Sequence, residues 1–247
     1  MLIPKLIHQT LKSRKLLTKP YIVNLERMRA LNPGWSISVY EDEECLEFIR
    51  MYFDQEMLRT YLAINPRYGA ARADLFRYLL LYRCGGVYLD IKSSATIGLD
   101  AVLQRDDHYL LSHWDNGRGR PFEGWGVHAE TPNPGEFQQW HIVAAPQHPF
   151  LEHVARSVQR NIHDYDASRD GTGKRAVLRM TGPIAYTRAI RPLLADARPR
   201  LVDITKLGFV YSFFDPTNDV FRSTGRLVHE AVMPGHYRSL TEPLVLW

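Results

Sequence analysis

The pattern of hydrophobic and polar positions predicts alternating strands and helices in the first part of the chain. A short apolar run from Ile3 to Gln9 predicts a buried strand, and the alternation from Trp35 to Tyr40 is typical of a second strand. Helical spacing predicts one helix from Tyr21 to Leu31 and a second that starts with Asp42 as its cap and ends near Phe53.

A longer helix is predicted from Tyr68 to Arg83. Stepping about 100 degrees per residue leaves apolar side chains on nearly every face, which indicates a buried helix. Asp74 and Arg77 are neighbours on this helix. Buried charges need a partner, so these two side chains pair with each other or with a polar ligand. The pattern alone leaves both interpretations open.

Gly85 and Gly86 predict a sharp turn out of that helix into a strand from Val87 to Ile91. In an extended strand, Asp90 and Lys92 would project from the same face, about 7 Å apart. We expect both at the carboxyl end of a central strand, where a carboxylate can hold a divalent ion or ribose hydroxyls and an ammonium can meet a phosphate.

Further strands are predicted from Tyr109 to Ser112, His141 to Ala145 and Phe209 to Phe214, and further helices from Phe150 to His163 and Pro183 to Leu194. The alternation favours a Rossmann-like α/β/α sandwich with a central, mostly parallel sheet. In such a fold the ligand lies beyond the carboxyl ends of the strands.

The composition is that of a globular protein: 45% of the 247 residues are hydrophobic and 23% are charged. The net charge of +4 is dispersed, which favours small anionic ligands such as phosphates and argues against nucleic-acid binding. Cys45 and Cys84 fall in apolar helical stretches, so we expect free thiols in a reducing, cytoplasmic setting. No transmembrane segment is predicted, and peripheral membrane contact stays open.

The run from Arg72 to Asp90 resembles the signature of the family 32 glycosyltransferases, the DXD-motif transferases related to yeast mannosyltransferases and clostridial glucosylating toxins. The segment Ile3–Thr10 is similar to the first strand of that family, and Asn32–Trp35 with Tyr40–Asp42 to its second. The clear resemblance covers about residues 1–105. It implies a GT-A fold, a nucleoside-diphosphate-sugar donor and transfer that retains the anomeric configuration.

The resemblance also implies roles for particular residues. It divides a single domain, 1–247, into a nucleotide-sugar-binding half, 1–105, and an acceptor-side half with a C-terminal tail, 106–247. Asp90 corresponds to the first Asp of the DXD motif. Asp90, Arg77 and Lys92 are the candidate catalytic residues, although Lys92 departs from the family pattern. The implied donor-binding residues are His8, Gln9, Thr10, Asp74, Arg77, Asp90 and Arg238.

Lys92 stands where the family has its second Asp. The change can mark a lost activity, although the retained Asp74, Arg77 and Asp90 argue against that, and two further interpretations keep the activity. Lys92 itself can neutralise the departing diphosphate, because a unit charge pair at about 4 Å contributes roughly 4 kcal/mol at an effective dielectric near 20. Alternatively, Mn²⁺ or Mg²⁺ is held by Asp90, the diphosphate, water and a C-terminal histidine. His236 is the first candidate for that histidine and His229 the second.

The acceptor side is predicted in the second half of the chain. His113 and Asp115 follow a predicted strand, where they can contact the acceptor or simply begin a polar loop. Trp125 lies in a Gly- and Pro-rich loop, 116–135, and can stack on an acceptor sugar or pack in the loop. The predicted function is hexosyl transfer to a glycan or other hydroxyl acceptor, with surface polysaccharide synthesis as one setting. A catalytically silent nucleotide-sugar or glycan-binding module is the alternative.

Overall fold

The computed structural model describes residues 2–213 and 237–247. The strands are β1 (Leu6–Thr10), β2 (Ser36–Tyr40), β3 (Gly86–Leu89), β4 (Ser94–Ala95), β5 (Tyr109–Leu111), β6 (His141–Ala144), β7 (Arg200–Leu201) and β8 (Phe209–Val210). Six of them form one sheet in the order β2-β1-β3-β6-β5-β7, and β4 pairs with β8 in a second, small sheet.

The main sheet is mostly parallel, as the sequence predicts. The pairs β1–β2, β1–β3 and β5–β7 are parallel, whereas β6 is antiparallel to both β3 and β5. Among the six described strands of this sheet, β6 alone therefore runs opposite to the others. The carboxyl ends of β1 and β3 meet at one edge of the sheet, which is the edge where a ligand is expected.

The helices are α1 (Lys19–Leu31), α2 (Asp42–Tyr52), α3 (Gln55–Ala63), α4 (Gly69–Cys84), α5 (Leu99–Val102), α6 (Pro149–His163), α7 (Ala167–Asp170), α8 (Gly173–Met180), α9 (Pro183–Ile190) and α10 (Leu194–Ala197). Single 3₁₀ turns span Arg14–Leu16, Arg191–Leu193 and Tyr237–Ser239. None of the helices in the described ranges combines the length and the apolar composition needed to cross a bilayer.

The sheet separates two hydrophobic cores, because successive side chains of a strand point to opposite faces. In β3, Tyr88 packs in the core that contains α4 and α6, whereas Val87 and Leu89 pack in the core beneath α1 and α5. Strand β6 divides in the same way, with Ile142 on the first side and Val143 on the second. The predicted three-layer α/β/α sandwich is confirmed.

The turn between α4 and β3 depends on its two glycines. Gly85 has φ +65° and Gly86 has φ +101°, values that favour glycine. A Cβ atom on Gly85 would lie 2.6 Å from Pro146 Cδ, and one on Gly86 would lie 2.6 Å from the carbonyl oxygen of Leu6. The close approach of these backbones lets the buried helix lead directly into the central strand.

The predicted extension of β3 to Ile91 is wrong, because the strand ends at Leu89. The next residues form a turn in which the Ser93 amide donates to the carbonyl of Asp90 at 2.7 Å. This turn leads into β4, so Asp90 and Lys92 do not project side by side from one extended strand. The separation of their side chains is set by the turn.

Other boundaries also differ from the prediction, since β1 begins at Leu6 and not at Ile3, and α9 ends at Ile190 and not at Leu194. Glu41, and not Asp42, precedes the first turn of α2, and the Glu44 carboxylate accepts from the Glu41 amide at 2.9 Å in a capping box. The predicted strand from Phe209 to Phe214 shortens to β8, outside the main sheet, and Phe214 lies outside the described residues. The sequence pattern does not predict the short elements β4, α5, α7, α8, β7 and α10.

Candidate functional site

A cavity of about 1130 Å³ lies beyond the carboxyl ends of β1 and β3. Thr10 at the end of β1 and Asp90 just after β3 line its floor, and residues of α4 and α8 line its sides. Its cationic lining residues are Lys12, Lys15, Arg67, Arg77, Lys92, Lys174 and Arg238. The position and the positive charge suit an anionic ligand held at the edge of the sheet.

Arg77 links two carboxylates at the centre of this site. Its guanidinium lies 3.2 Å from Asp74 Oδ1 and 3.3 Å from Asp90 Oδ1. Asp74 and Arg77 are buried, whereas 26% of the Asp90 side chain is exposed. The two neighbours on the predicted helix therefore do pair with each other, and the pair also reaches Asp90.

Asp74 is held by neutral donors as well as by Arg77. Gln139 Nε2 donates to Asp74 Oδ1 at 3.0 Å, and Thr181 Oγ1 donates to Oδ2 at 3.0 Å. Burial raises the pKa of Asp74 to about 6, although Arg77, Gln139 and Thr181 all favour the ionised form. The carboxylate that fixes one side of Arg77 is thus close to titrating in the neutral range.

Arg77 has further contacts that restrict its position. It donates to the carbonyl of Gln139 at 2.8 Å, and its guanidinium lies 4.5 Å from the centre of the Tyr88 ring. Burial by itself would lower the pKa of Arg77, but the neighbouring Tyr88, Asp90 and Asp74 raise it overall. Arg77 is a fixed, permanently charged group at the end of the central strand.

Asp90 is positioned by its backbone, which leaves its side chain at the cavity surface. Its amide donates to the carbonyl of Trp140 at 2.8 Å, and its carbonyl accepts from Gln9 Nε2 at 3.1 Å. The Tyr88 hydroxyl is 3.4 Å from Asp90 Oδ1 and 2.8 Å from Thr10 Oγ1. Arg77 and Tyr88 share one carboxylate oxygen, so the other is the oxygen best placed for a ligand.

Lys92 is joined to Tyr211, a residue that sequence reasoning missed. Lys92 Nζ donates to the Tyr211 hydroxyl at 2.8 Å and lies 4.1 Å from the ring centre. Pairing of β4 with β8 holds the two together, since the Phe213 amide donates to the Lys92 carbonyl at 2.8 Å. No spacing in the sequence indicates this pair, because 118 residues stand between its members.

The three predicted residues of β1 have different positions. Thr10 lines the cavity, whereas His8 and Gln9 are buried and are not among its lining residues. His8 Nε2 is 3.1 Å from the carbonyl of Gly85, and burial lowers the pKa of His8 to about 4. His8 therefore supports the glycine turn as a neutral side chain, and Gln9 supports Asp90.

Of the predicted acceptor-side residues, the structure brings only Trp125 to the cavity. His113 Nδ1 is 3.1 Å from the carbonyl of Glu136, and burial lowers the pKa of His113. Asp115 pairs with Arg120 at 2.7 Å. Both side chains organise the loop, and neither lines the cavity. His128 and Glu136, which the sequence analysis did not single out, line it instead.

Near the C-terminus, Arg238 lines the cavity as part of the 3₁₀ turn Tyr237–Ser239, which packs against α8. The metal candidates His236 and His229 lie outside the described residues. Within residues 2–213 and 237–247, no cluster of three His, Cys, Asp or Glu side chains could hold a metal ion.

Comparison with known proteins agrees with this geometry. Residues 21–107 match the model of the glycosyltransferase sugar-binding region containing the DXD motif. The chain is 29% identical over 163 residues to inositol phosphoceramide mannosyltransferase 3 of Schizosaccharomyces pombe, covering 66% of this chain and 39% of that protein. It is 28% identical over 209 residues to the initiation-specific alpha-1,6-mannosyltransferase of the same yeast, covering 78% and 49%.

The fold is also similar to a solved structure. The PaToxG glycosyltransferase superimposes with a TM-score of 0.54 at 18% identity, covering 79% of this chain and 72% of that one. This likeness shows a shared GT-A-type fold. The chain spans at most about half the length of the two curated relatives that it matches.

Proposed function

Because this chain belongs to the glycosyltransferases that contain the DXD sugar-binding region, we propose that it transfers a hexose from a nucleoside-diphosphate-sugar donor to a hydroxyl acceptor. The observation that carries the proposal is the position of Arg77, held between Asp74 and Asp90 beyond the carboxyl end of β3. Both curated relatives are named mannosyltransferases, so mannose is the sugar we propose.

In the proposed complex, residues 1–105 hold the donor with its diphosphate beside Lys92 and its sugar against Arg77 and Asp74. The exposed oxygen of Asp90 accepts hydrogen bonds from the ribose, next to Thr10. The acceptor oxygen bonds to the anomeric carbon while the bond from that carbon to the diphosphate breaks. The electron pair leaves with the diphosphate, which also takes the acceptor proton on the same face, so the anomeric configuration is retained.

Charge neutralisation at the leaving group is assigned to Lys92. The departing diphosphate gains negative charge, and a fixed cation at that point stabilises the transition state more than the ground state. The hydrogen bond to Tyr211 holds the Lys92 ammonium in one position. Less conformational entropy of this side chain is then lost when the reaction takes place. Arg238 and Lys174 supply further positive charge around the cavity.

A divalent ion is the other means of neutralisation. Asp90 offers one carboxylate at this point, and Lys92 occupies the place of the second Asp of the motif. An ion bound by Asp90, the diphosphate and water is the sparse arrangement that Mg²⁺ accepts. Mn²⁺ or Mg²⁺ would add Lewis acidity there. Among the described residues, Asp90 offers one metal ligand at this point, and we assign the essential charge to Lys92 because Tyr211 holds its ammonium in place.

The test is hydrolysis of a panel of nucleotide sugars by the purified chain, with Mn²⁺, with Mg²⁺ and with EDTA. Asp90→Asn and Lys92→Ala are compared with Asp106→Asn and Lys206→Ala, which alter exposed residues. We expect hydrolysis that survives EDTA, falls about a hundredfold or more in both site variants and is unchanged in both controls.

Activity that EDTA abolishes would assign the charge to a metal and not to Lys92. Equal activity in Asp90→Asn and the wild type would refute the site. Tight nucleotide binding with no turnover of any donor, even with glycan acceptors present, would favour the catalytically silent binding module. A cytoplasmic location, a role in surface polysaccharide synthesis and a single domain over 1–247 remain predictions of the sequence.

A further inference from the structure

Glu136 and His128 form a hydrogen-bonded pair in the cavity wall. Glu136 Oε2 is 3.0 Å from His128 Nε2, and Glu136 Oε1 accepts from the indole Nε1 of Trp114 at 3.0 Å. Only 9% of the Glu136 side chain is exposed, whereas 27% of the His128 side chain is. Burial raises the pKa of Glu136, although Trp114 and His128 favour its ionised form. The carboxylate is fixed at both oxygens and holds the imidazole in place.

This pairing decides which imidazole nitrogen is left for a ligand. An ionised carboxylate only accepts, so Nε2 of His128 carries the hydrogen that joins the two side chains. In the neutral ring, Nδ1 then presents a lone pair, which is the acceptor that a hydroxyl group requires. Within residues 2–213 and 237–247, the structure shows no protein partner for Nδ1, and His128 lines the cavity.

An aromatic surface lines the same cavity, and Trp114 links it to Glu136. Trp125 lines the cavity and is 48% exposed. Its ring centre is 5.2 Å from that of Trp114 and 5.3 Å from that of Phe122, so the exposed indole is supported from behind. A broad, half-exposed aromatic ring and a hydrogen-bond acceptor in one cavity match a pyranose, which has apolar C–H faces and hydroxyls at its rim.

Close backbone and side-chain contacts hold this part of the cavity wall together. Gly126 has φ +72°, and a Cβ atom there would lie 2.6 Å from Trp114 Cδ1 and 2.9 Å from Glu136 Cγ. The Glu136 amide donates to the carbonyl of Gly126 at 2.8 Å. Glu130 of the same loop pairs with Arg179 of α8 at 3.1 Å. The loop therefore presents Trp125 and His128 in a fixed arrangement before any ligand binds.

We infer that Trp125 and His128 form the acceptor subsite and that its ligand is a carbohydrate hydroxyl group on a pyranose ring. Trp125 stacks on the ring, Nδ1 of His128 accepts a hydrogen bond from a hydroxyl, and Glu136 is a positioning residue that holds His128. This inference rests on the proposed transferase function. It moves the acceptor contacts from His113 and Asp115 to residues that line the cavity with Lys92 and Tyr211.

The experiment separates donor chemistry from acceptor binding. Donor hydrolysis without acceptor and transfer to methyl α-mannoside, methyl α-glucoside and methyl α-galactoside are measured in parallel for Trp125→Ala, His128→Ala and Glu136→Gln. Trp247→Ala and His163→Gln are the matched controls, because Trp247 is 75% exposed and the His163 side chain is 80% exposed.

We expect Trp125→Ala and His128→Ala to raise the acceptor KM about tenfold or more while donor hydrolysis changes less than about twofold. Glu136→Gln keeps the shape but weakens the hold on His128, so its acceptor KM should lie between those of the wild type and His128→Ala. His128→Gln, which retains an acceptor atom, should recover part of the loss. Both controls should match the wild type in both assays.

The outcomes distinguish this inference from the proposed function. Normal donor hydrolysis with unchanged acceptor KM in Trp125→Ala and His128→Ala would refute the subsite and leave the transferase proposal standing. Transfer to N-acetylthreonine amide or glycerol in preference to every methyl glycoside would refute the sugar acceptor. If the wild type hydrolyses no donor, saturation-transfer NMR with methyl α-mannoside and a nucleoside diphosphate tests the subsite directly. Absence of a signal that depends on Trp125 would then overturn it.

Discussion

Lys92 Nζ donates to the hydroxyl of Tyr211 at 2.8 Å, and the same ammonium lies 4.1 Å from the centre of the Tyr211 ring. Tyr211 in turn packs edge-on against Trp114 and Trp140, with ring centres 5.2 Å and 5.4 Å away. The lysine that the family resemblance places at the second Asp of the motif is thus held by an aromatic cluster.

Removing the Tyr211 hydroxyl should weaken catalysis without unfolding the protein. Tyr211→Phe keeps the ring but loses a hydrogen bond to a charged group, a contribution of about 1.5 kcal/mol, or roughly tenfold in rate. We expect kcat/KM for donor hydrolysis to fall by about that factor while the melting temperature stays the same. Tyr52→Phe, at a 44% exposed ring, is the control. An equal fall in kcat/KM in Tyr211→Phe and Tyr52→Phe would show that the Tyr211 hydroxyl has no specific effect on Lys92.

The three-way contact of Arg77 with Asp74 and Asp90 predicts strong coupling between Arg77 and Asp90. Arg77→Lys retains the charge but loses the planar guanidinium that meets both carboxylates. In a double-mutant cycle on donor hydrolysis, Arg77→Lys and Asp90→Asn together should cost less than the sum of their separate losses, by about 1 kcal/mol or more. Strict additivity would show that the two side chains act independently.

The glycine turn before Asp90 predicts a large effect on stability. Gly86→Ala combines φ +101° with a contact of 2.6 Å to the Leu6 carbonyl, so we expect a loss of about 3 kcal/mol or more in urea unfolding. Gly34→Ala isolates the backbone contribution, because Gly34 has φ +82° but nothing within 4 Å of the added Cβ. Its expected loss is about 1 kcal/mol. An equal loss of unfolding free energy in Gly86→Ala and Gly34→Ala would show that the contact with the Leu6 carbonyl adds nothing to the backbone cost.

Three buried histidines predict lower stability in mild acid. Burial lowers the pKa of His8 and His148 to about 4 and that of His141 to about 3, against 6.5 in the unfolded chain. Stability is therefore complete above about pH 6.5 and is lost as the pH falls toward 4, since the unfolded chain takes up protons first. Asp74, whose pKa is raised, acts in the opposite direction below about pH 6 and offsets only part of the loss.

Urea midpoints measured near pH 7.5 and near pH 5 test this expectation. His148→Asn keeps a capping acceptor at the start of α6 but removes one of the three titrating groups, so its midpoint should fall less between the two pH values. A midpoint that is independent of pH in the wild type would contradict the prediction.

Local patterns were sufficient for most of the architecture. The apolar helix α4, the glycine pair and the start of β3 each follow from helical spacing, backbone freedom or alternation over a few residues. The pairing of Asp74 with Arg77 also follows, because residues three apart on a helix are neighbours. The end of β3 does not follow from the local pattern, because the turn at Asp90 leads into β4, which pairs with a strand more than a hundred residues away.

The sequence by itself determined the alternation of strands and helices as far as β3, the buried charges of α4 and the edge of the sheet where a ligand is expected, because local geometry sets each of them. Only the tertiary structure decided that Lys92 meets Tyr211 and that His128 and Glu136, and not His113 and Asp115, line the cavity. It also decided that His8 and Gln9 support the site from beneath. Contacts between segments far apart in the sequence depend on how the loops pack on the folded core. Hydrophobic periodicity reports only local structure, so it cannot predict these contacts.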